Sequence, residues 1–124
     1  MLEIYPIKEN EILKEKFALK GMNATDRSAG YIAYDGGEAV GIALFNVEDK
    51  FANIFVIEPE NDALLCDSLI RSVINYAANR GVFKLVCATE QTKAIATKLT
   101  YLAADGEEID VIGMMQGCKN CKKV

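Results

Sequence analysis

The chain has 124 residues, 14 Lys and Arg against 18 Asp and Glu, a formal net charge of −4 and no histidine. That balance excludes the clustered-cation surface that grips nucleic-acid phosphates, and the missing imidazole excludes Ser-His and Cys-His catalysis within the chain. At 51% hydrophobic residues the length suits a single domain, 1–124, with a real core, and no apolar run approaches the ~18 residues that span a bilayer. The N-terminus MLEIYPIKENE carries no signal-peptide pattern, so a cytoplasmic protein without membrane contact is expected.

Residues 2–7 alternate like a short strand, and Pro6 lacks a ladder N–H, which places this strand at an edge. Asn10 is the expected cap of a helix over 11–20 with Ile12, Leu13 and Phe17 on its apolar face and Gly21 at its end. Residues 22–29 read as a polar loop. Gly30–Tyr34 and Ala39–Val47 are strand-like runs around Asp35-Gly36-Gly37-Glu38, where glycines supply the positive φ of a tight hairpin. After the turn Glu48-Asp49-Lys50, Phe51–Ile57 completes an antiparallel meander. Gly41, inside the middle strand, marks a bulge or a close backbone approach.

Pro59 stops the third strand of the meander, and Asn61 or Asp62 caps a long helix that reaches about Asn79 and ends at Gly81. Asp67, Ser68, Arg71, Ser72, Asn75 and Asn79 form its polar stripe. The apolar arc of Leu65, Leu69, Val73, Tyr76 and Ala77, with Cys66, Ile70 and Ile74 beside it, requires burial against a sheet. Val82–Ala88 is a short apolar strand, so 54–88 forms a βαβ unit. Thr89 caps a third helix over 90–102, Asp105-Gly106 turns the chain, and 107–115 is a last strand. Residues 116–124 form a tail with Cys118 and Cys121 as a C-x-x-C pair and three lysines as a solvated end.

The four cysteines suit thiols or metal ligands in a reducing compartment. Cys118 and Cys121 are half of a zinc site or a redox pair, and Cys66 and Cys87 complete four thiolates if the tail folds back over them. Otherwise the chain has two buried small residues and two exposed thiols. A helix N-terminus favours a Cys66 thiolate, while Asp62 and Asp67 oppose it.

The order β α β β β α β α β, with a three-strand meander feeding a helix, resembles the GNAT superfamily of N-acetyltransferases. GGEAVGIALF at 36–45, YAANRG followed by VFKLVCA, and KLTY at 98–101 resemble phrases of that family. The resemblance implies an α/β (α+β) fold: a mixed sheet with an antiparallel meander, a βαβ crossover and three helices. The loop 22–29 leaves no room for the second helix that most members carry before the meander.

The family's loop before the long helix resembles R/Q-x-x-G-x-G/A, where glycines and free N–H groups receive the pyrophosphate of coenzyme A. The resemblance therefore assigns acetyl-CoA to Ile57, Asp62, Ala63, Leu64, Leu65, Cys66 and Asp67. In this chain Asp62 replaces the basic or amide residue, and Leu65 and Asp67 replace the glycines. Like charges ~6 Å apart at an effective dielectric near 20 repel by a few kcal/mol. On the alternative reading Asp62 caps its own helix and Leu65 fills the core. The position of the family's thiolate-protonating tyrosine falls on Ala96, Tyr101 falls on a core aromatic, and the frequent asparagine falls near Thr89. Glu58 is the candidate general base, its alternative being an ordinary surface glutamate. The implied function is acyl-CoA-dependent N-acetyl transfer to a small amine. Set beside it are a catalytically inactive GNAT-like module binding a ligand or a protein, and a cysteine-based metal or redox module. A homodimer fits any of the three.

Overall fold

The structure, a computed structural model, describes residues 1–102, 106 and 108–111. Among these residues six strands form one sheet in the order β1(Leu2–Pro6), β2(Ser28–Asp35), β3(Glu38–Val47), β4(Ala52–Glu58), β5(Lys84–Cys87) and β6(Glu108–Asp110). Three helices accompany them: α1(Asn10–Ala18), α2(Ala63–Ala78) and α3(Glu90–Lys98). Neighbouring strands are antiparallel except β4 and β5. The parallel pair is the product of the α2 crossover, since a parallel return needs a long connection. The expected mixed sheet, meander and crossover are present, and β1 with Pro6 at its end lies at the sheet edge.

The larger core lies on the face covered by α2 and α3, where Leu65, Leu69, Val73 and Ala77 meet Ala43, Phe45, Ile54 and Leu85, and Ile95 and Ala96 join from α3. The smaller core lies under α1, where Leu13 and Phe17 meet Leu44 and Val56. Strand β3 alternates as a two-sided strand must: Ala43 and Phe45 face one core and Leu44 the other. Strand β4 breaks that alternation. Leu44 pairs with Val56 but Phe45 pairs with Ile54, so Phe55 is an extra residue. This bulge puts Ile54 and Ile57 on the α2 face and Val56 on the α1 face.

Helices α1 and α3 differ from the sequence expectation. Asn10 is the first residue of α1, the cap position is Glu9, and no side chain caps it; the short α1 is held by Leu13 and Phe17 rather than by its cap. Ile12 is 37% exposed, since a single-sided contact admits only one stripe. Helix α3 ends at Lys98, with Thr100 in the left-handed region (φ 68°), four residues before the expected end. Helix α2 begins with Asp62 as its cap and is followed by Gly81 at φ 78°, as expected. The expected turn at Asp105, the outer residues of the last strand, the 116–124 tail, Cys118 and Cys121 lie outside the described residues.

Candidate functional site

Strand β5 pairs with β4 only from Ala52 to Ile54. Beyond that the two strands part, and among the described residues β4 continues without a strand partner on this side to Glu58. A parting of this kind leaves backbone groups that need partners. Helix α3 supplies them: the Thr89 hydroxyl donates to the Phe55 carbonyl at 3.1 Å, the Thr92 hydroxyl donates to the Ile54 carbonyl at 3.2 Å, and the Ile57 N–H donates to the Gln91 side-chain oxygen at 3.3 Å. Thr89 and Thr92 also close a capping box at the start of α3. Sequence reasoning found Thr89 as a cap but missed Gln91 and Thr92. Their signal was a polar first turn directly after a strand.

The start of α2 is occupied by its own side chain. The Asp62 carboxylate accepts from the Leu65 N–H at 3.1 Å, and the Asp62 carbonyl accepts from the Cys66 N–H at 2.9 Å. Of the first-turn N–H groups that the helix itself leaves free, that of Leu65 is thus engaged, the Cys66 N–H making the first bond within the helix, and the carboxylate stands where an incoming anion would be drawn. Leu65 is buried and its side chain lies over Gly41. Ala63 and Leu64 are exposed, Leu64 at 73%. Among the residues that the resemblance assigns to the cofactor, Ile57, Leu65 and Cys66 are core. The first turn of α2 therefore does not fit a pyrophosphate as a glycine-lined, uncharged loop would.

Asp67 is engaged on both oxygens: Tyr101 donates its hydroxyl at 2.5 Å and Arg71 its Nε at 2.8 Å. Burial pushes the Asp67 carboxyl up, yet the Tyr101 and Arg71 hydrogen bonds and the Arg71 charge outweigh it and hold the group below its ordinary value. Burial first, then the hydrogen bond and charge of Asp67, push the Tyr101 phenol up to about 12. Tyr101 is partly buried and packs on the main core, but its hydroxyl also anchors the chain after α3 to the start of α2. A tyrosine raised in this way contributes stability in full below its unfolded value near 10, lost as pH rises through 12. Replacement by phenylalanine is expected to cost about 1 kcal/mol at pH 8 after solvent screening, with the gap to wild type narrowed but still open at pH 11, between the unfolded value and the folded one. Urea unfolding of both proteins at the two pH values checks this.

Cys66 and Cys87 are buried free thiols. Burial and then the Asp62 and Glu60 charges push the Cys66 thiol up, so the helix N-terminus does not make it a ready thiolate. Its sulfur donates to the Pro59 carbonyl at 3.0 Å. Burial pushes Cys87 up to about 11. Among the described residues no three His, Cys, Asp or Glu side chains stand together as metal ligands.

Glu58, the last residue of β4, opens into a groove of about 360 Å³ formed with Lys16, Leu19 and Lys20 from the end of α1, Ile32 from β2, Ala39 to Ile42 from β3, and Pro59. Its carboxylate accepts from Lys20 Nζ at 2.6 Å, the two side chains being 38% and 36% exposed. The sequence singled out Glu58 and missed Lys20, because an ion pair between residues 38 positions apart has no local signature. Gly41 links this groove to α2. A Cβ added there would stand 2.8 Å from the Glu58 carbonyl and 3.0 Å from the Leu65 side chain. Both sequence readings of this glycine hold, since Val40 is an unpaired extra residue in the β2–β3 ladder just before it.

Comparison with solved structures shows that this α/β architecture has the fold of GNAT acetyltransferases. The ribosomal-protein-alanine N-acetyltransferase from Brucella melitensis biovar Abortus 2308 superposes with a TM-score of 0.60 over 86% of this chain and 96% of its own, at 16% identity. The ribosomal-protein-S18-alanine N-acetyltransferase from Escherichia coli does so at 0.55 over 87% and 88%, at 18% identity. A GNAT family acetyltransferase from Elizabethkingia anophelis with acetyl-CoA bound does so at 0.55 over 82% and 74%, at 17% identity. No protein-family model matches the chain, and no curated protein matches it in sequence. Among the described residues no helix is long and apolar enough to cross a membrane.

Proposed function

We propose that the chain is an N-acetyltransferase-like protein that takes a small amine in the groove at Glu58, with acetyl-CoA as a weakly held acyl donor. The observation that carries this reading is the placement of a half-exposed carboxylate at the end of β4, in a small groove, on the fold of acetyl-transferring enzymes. In such a reaction acetyl-CoA supplies the acyl group. The chain's own part is to hold the amine and to accept its proton at the Glu58 carboxylate. Lys20 stands against that carboxylate in the free protein, so an incoming ammonium replaces it. The exchange is cheap because exposed ion pairs contribute little.

Two observations favour a second reading, a GNAT-like module that binds its ligand without acyl transfer. Asp62 caps the start of α2, and Ala96, on which the resemblance puts the family's proton-donating tyrosine, is buried in the core. Thiol release from acetyl-CoA, measured over a panel of small amines at millimolar donor, separates the two. Amine-dependent release that falls at least ~100-fold in Glu58→Gln, within the range for loss of a general base, supports transfer. Absence of release with every amine overturns it in favour of the module.

A further inference from the structure

We propose that the groove at Glu58 selects an α-amino acid with an apolar side chain; this deepens the small-amine reading above and rests on it. The charged groups on the groove are Lys16, Lys20 and Glu58, two cations and one anion. Lys16 lies in the last turn of α1 and Lys20 two residues beyond its end, and both line the groove. The remaining side chains are Leu19, Ile32, Ala39, Val40, Ile42 and Pro59, all apolar.

A plain amine satisfies Glu58 but meets two ammonium groups. A plain carboxylate satisfies the lysines but meets Glu58. A zwitterion satisfies both, its ammonium on Glu58 and its carboxylate on Lys20 and Lys16, taking over the two halves of the existing pair. The Lys20–Glu58 contact at 2.6 Å thus stands in for the ligand in the free protein. The apolar wall gives a side chain somewhere to go. Val40 is pushed outward by the bulge and remains 37% exposed, which makes it the accessible end of that wall. The groove, about 360 Å³, is at the small end of the ~300–1,000 Å³ range of ligand pockets.

The test uses three probes with one carbon skeleton, titrated into the full chain without acetyl-CoA and followed by NMR shifts: L-leucine, 3-methylbutylamine, which lacks the carboxylate, and 4-methylpentanoate, which lacks the amine. Leucine is expected to bind about tenfold more tightly than either, the usual worth of one hydrogen-bonded charge. Lys20→Met is expected to remove the advantage over 3-methylbutylamine and Lys20→Arg to restore most of it. An amine that binds as tightly as leucine, an unchanged preference in Lys20→Met, or no binding by any probe would overturn the proposal. Leucine binding without thiol release keeps the proposal and overturns acetyl transfer. Thiol release that prefers 3-methylbutylamine to leucine does the reverse.

Discussion

Replacing Gly41 by alanine is expected to destabilise the protein by about 2 kcal/mol, in the range for overpacking a filled site, and to weaken ligand binding in the groove. The new Cβ would stand 2.8 Å from a backbone carbonyl, that of Glu58, and 3.0 Å from Leu65 Cδ2. A side chain can swing aside, but the Glu58 carbonyl belongs to a strand paired with β3, where Ile42 faces Glu58. The strand end must therefore move, and the Glu58 carboxylate moves with it. Gly36→Ala provides the contrast. Nothing lies within 4 Å of that position, but its φ is +61°. It should cost about 1 kcal/mol from backbone strain alone and leave the groove intact. Urea unfolding and the leucine titration on both variants read stability and site separately. Equal loss of binding in the two would show that Gly41 has no particular link to Glu58.

Replacing Asp62 by asparagine is expected to raise the affinity for acetyl-CoA about tenfold while stability changes by only a few tenths of a kcal/mol. Asparagine is as good a helix cap as aspartate, so the hydrogen bond to the Leu65 N–H at 3.1 Å survives. What disappears is a negative charge at the place where a pyrophosphate would approach. One charge pair at ~6 Å and an effective dielectric near 20 is worth a few kcal/mol before solvent screening, and about 1.4 kcal/mol after it is tenfold in affinity. Asp62→Ala removes cap and charge together and should lose about 1 kcal/mol of stability. Unchanged acetyl-CoA affinity in Asp62→Asn would mean that the donor never approaches the start of α2.

Much of the fold was legible because it rests on local signals. The Gly36-Gly37 hairpin, the Asp62 cap, the Gly81 stop and the wide apolar face of α2 each depend on residues close in sequence, and each appears in the structure. Asn10 was misread because a short polar residue before an apolar run looks like a cap whether or not it acts as one; here it begins the helix. The site was legible only by halves. The Asp62 cap and the burial of Leu65 could be read from pattern. The Lys20 partner of Glu58, the Gln91 contact to Ile57 and the Tyr101 contact to Asp67 could not, since each joins residues more than 30 positions apart. The β4 bulge at Phe55, which turns a carbonyl toward Thr89, leaves no trace in an uninterrupted apolar run.

The most direct test of the central claim, an acetyltransferase fold with a usable amine groove and a weak hold on its donor, is a calorimetric titration of acetyl-CoA into the wild-type chain. The expected dissociation constant is in the millimolar range, about −4 kcal/mol of binding free energy. A constant in the low micromolar range or below would contradict this, because it would require a pyrophosphate grip at a helix start that the Asp62 carboxylate occupies.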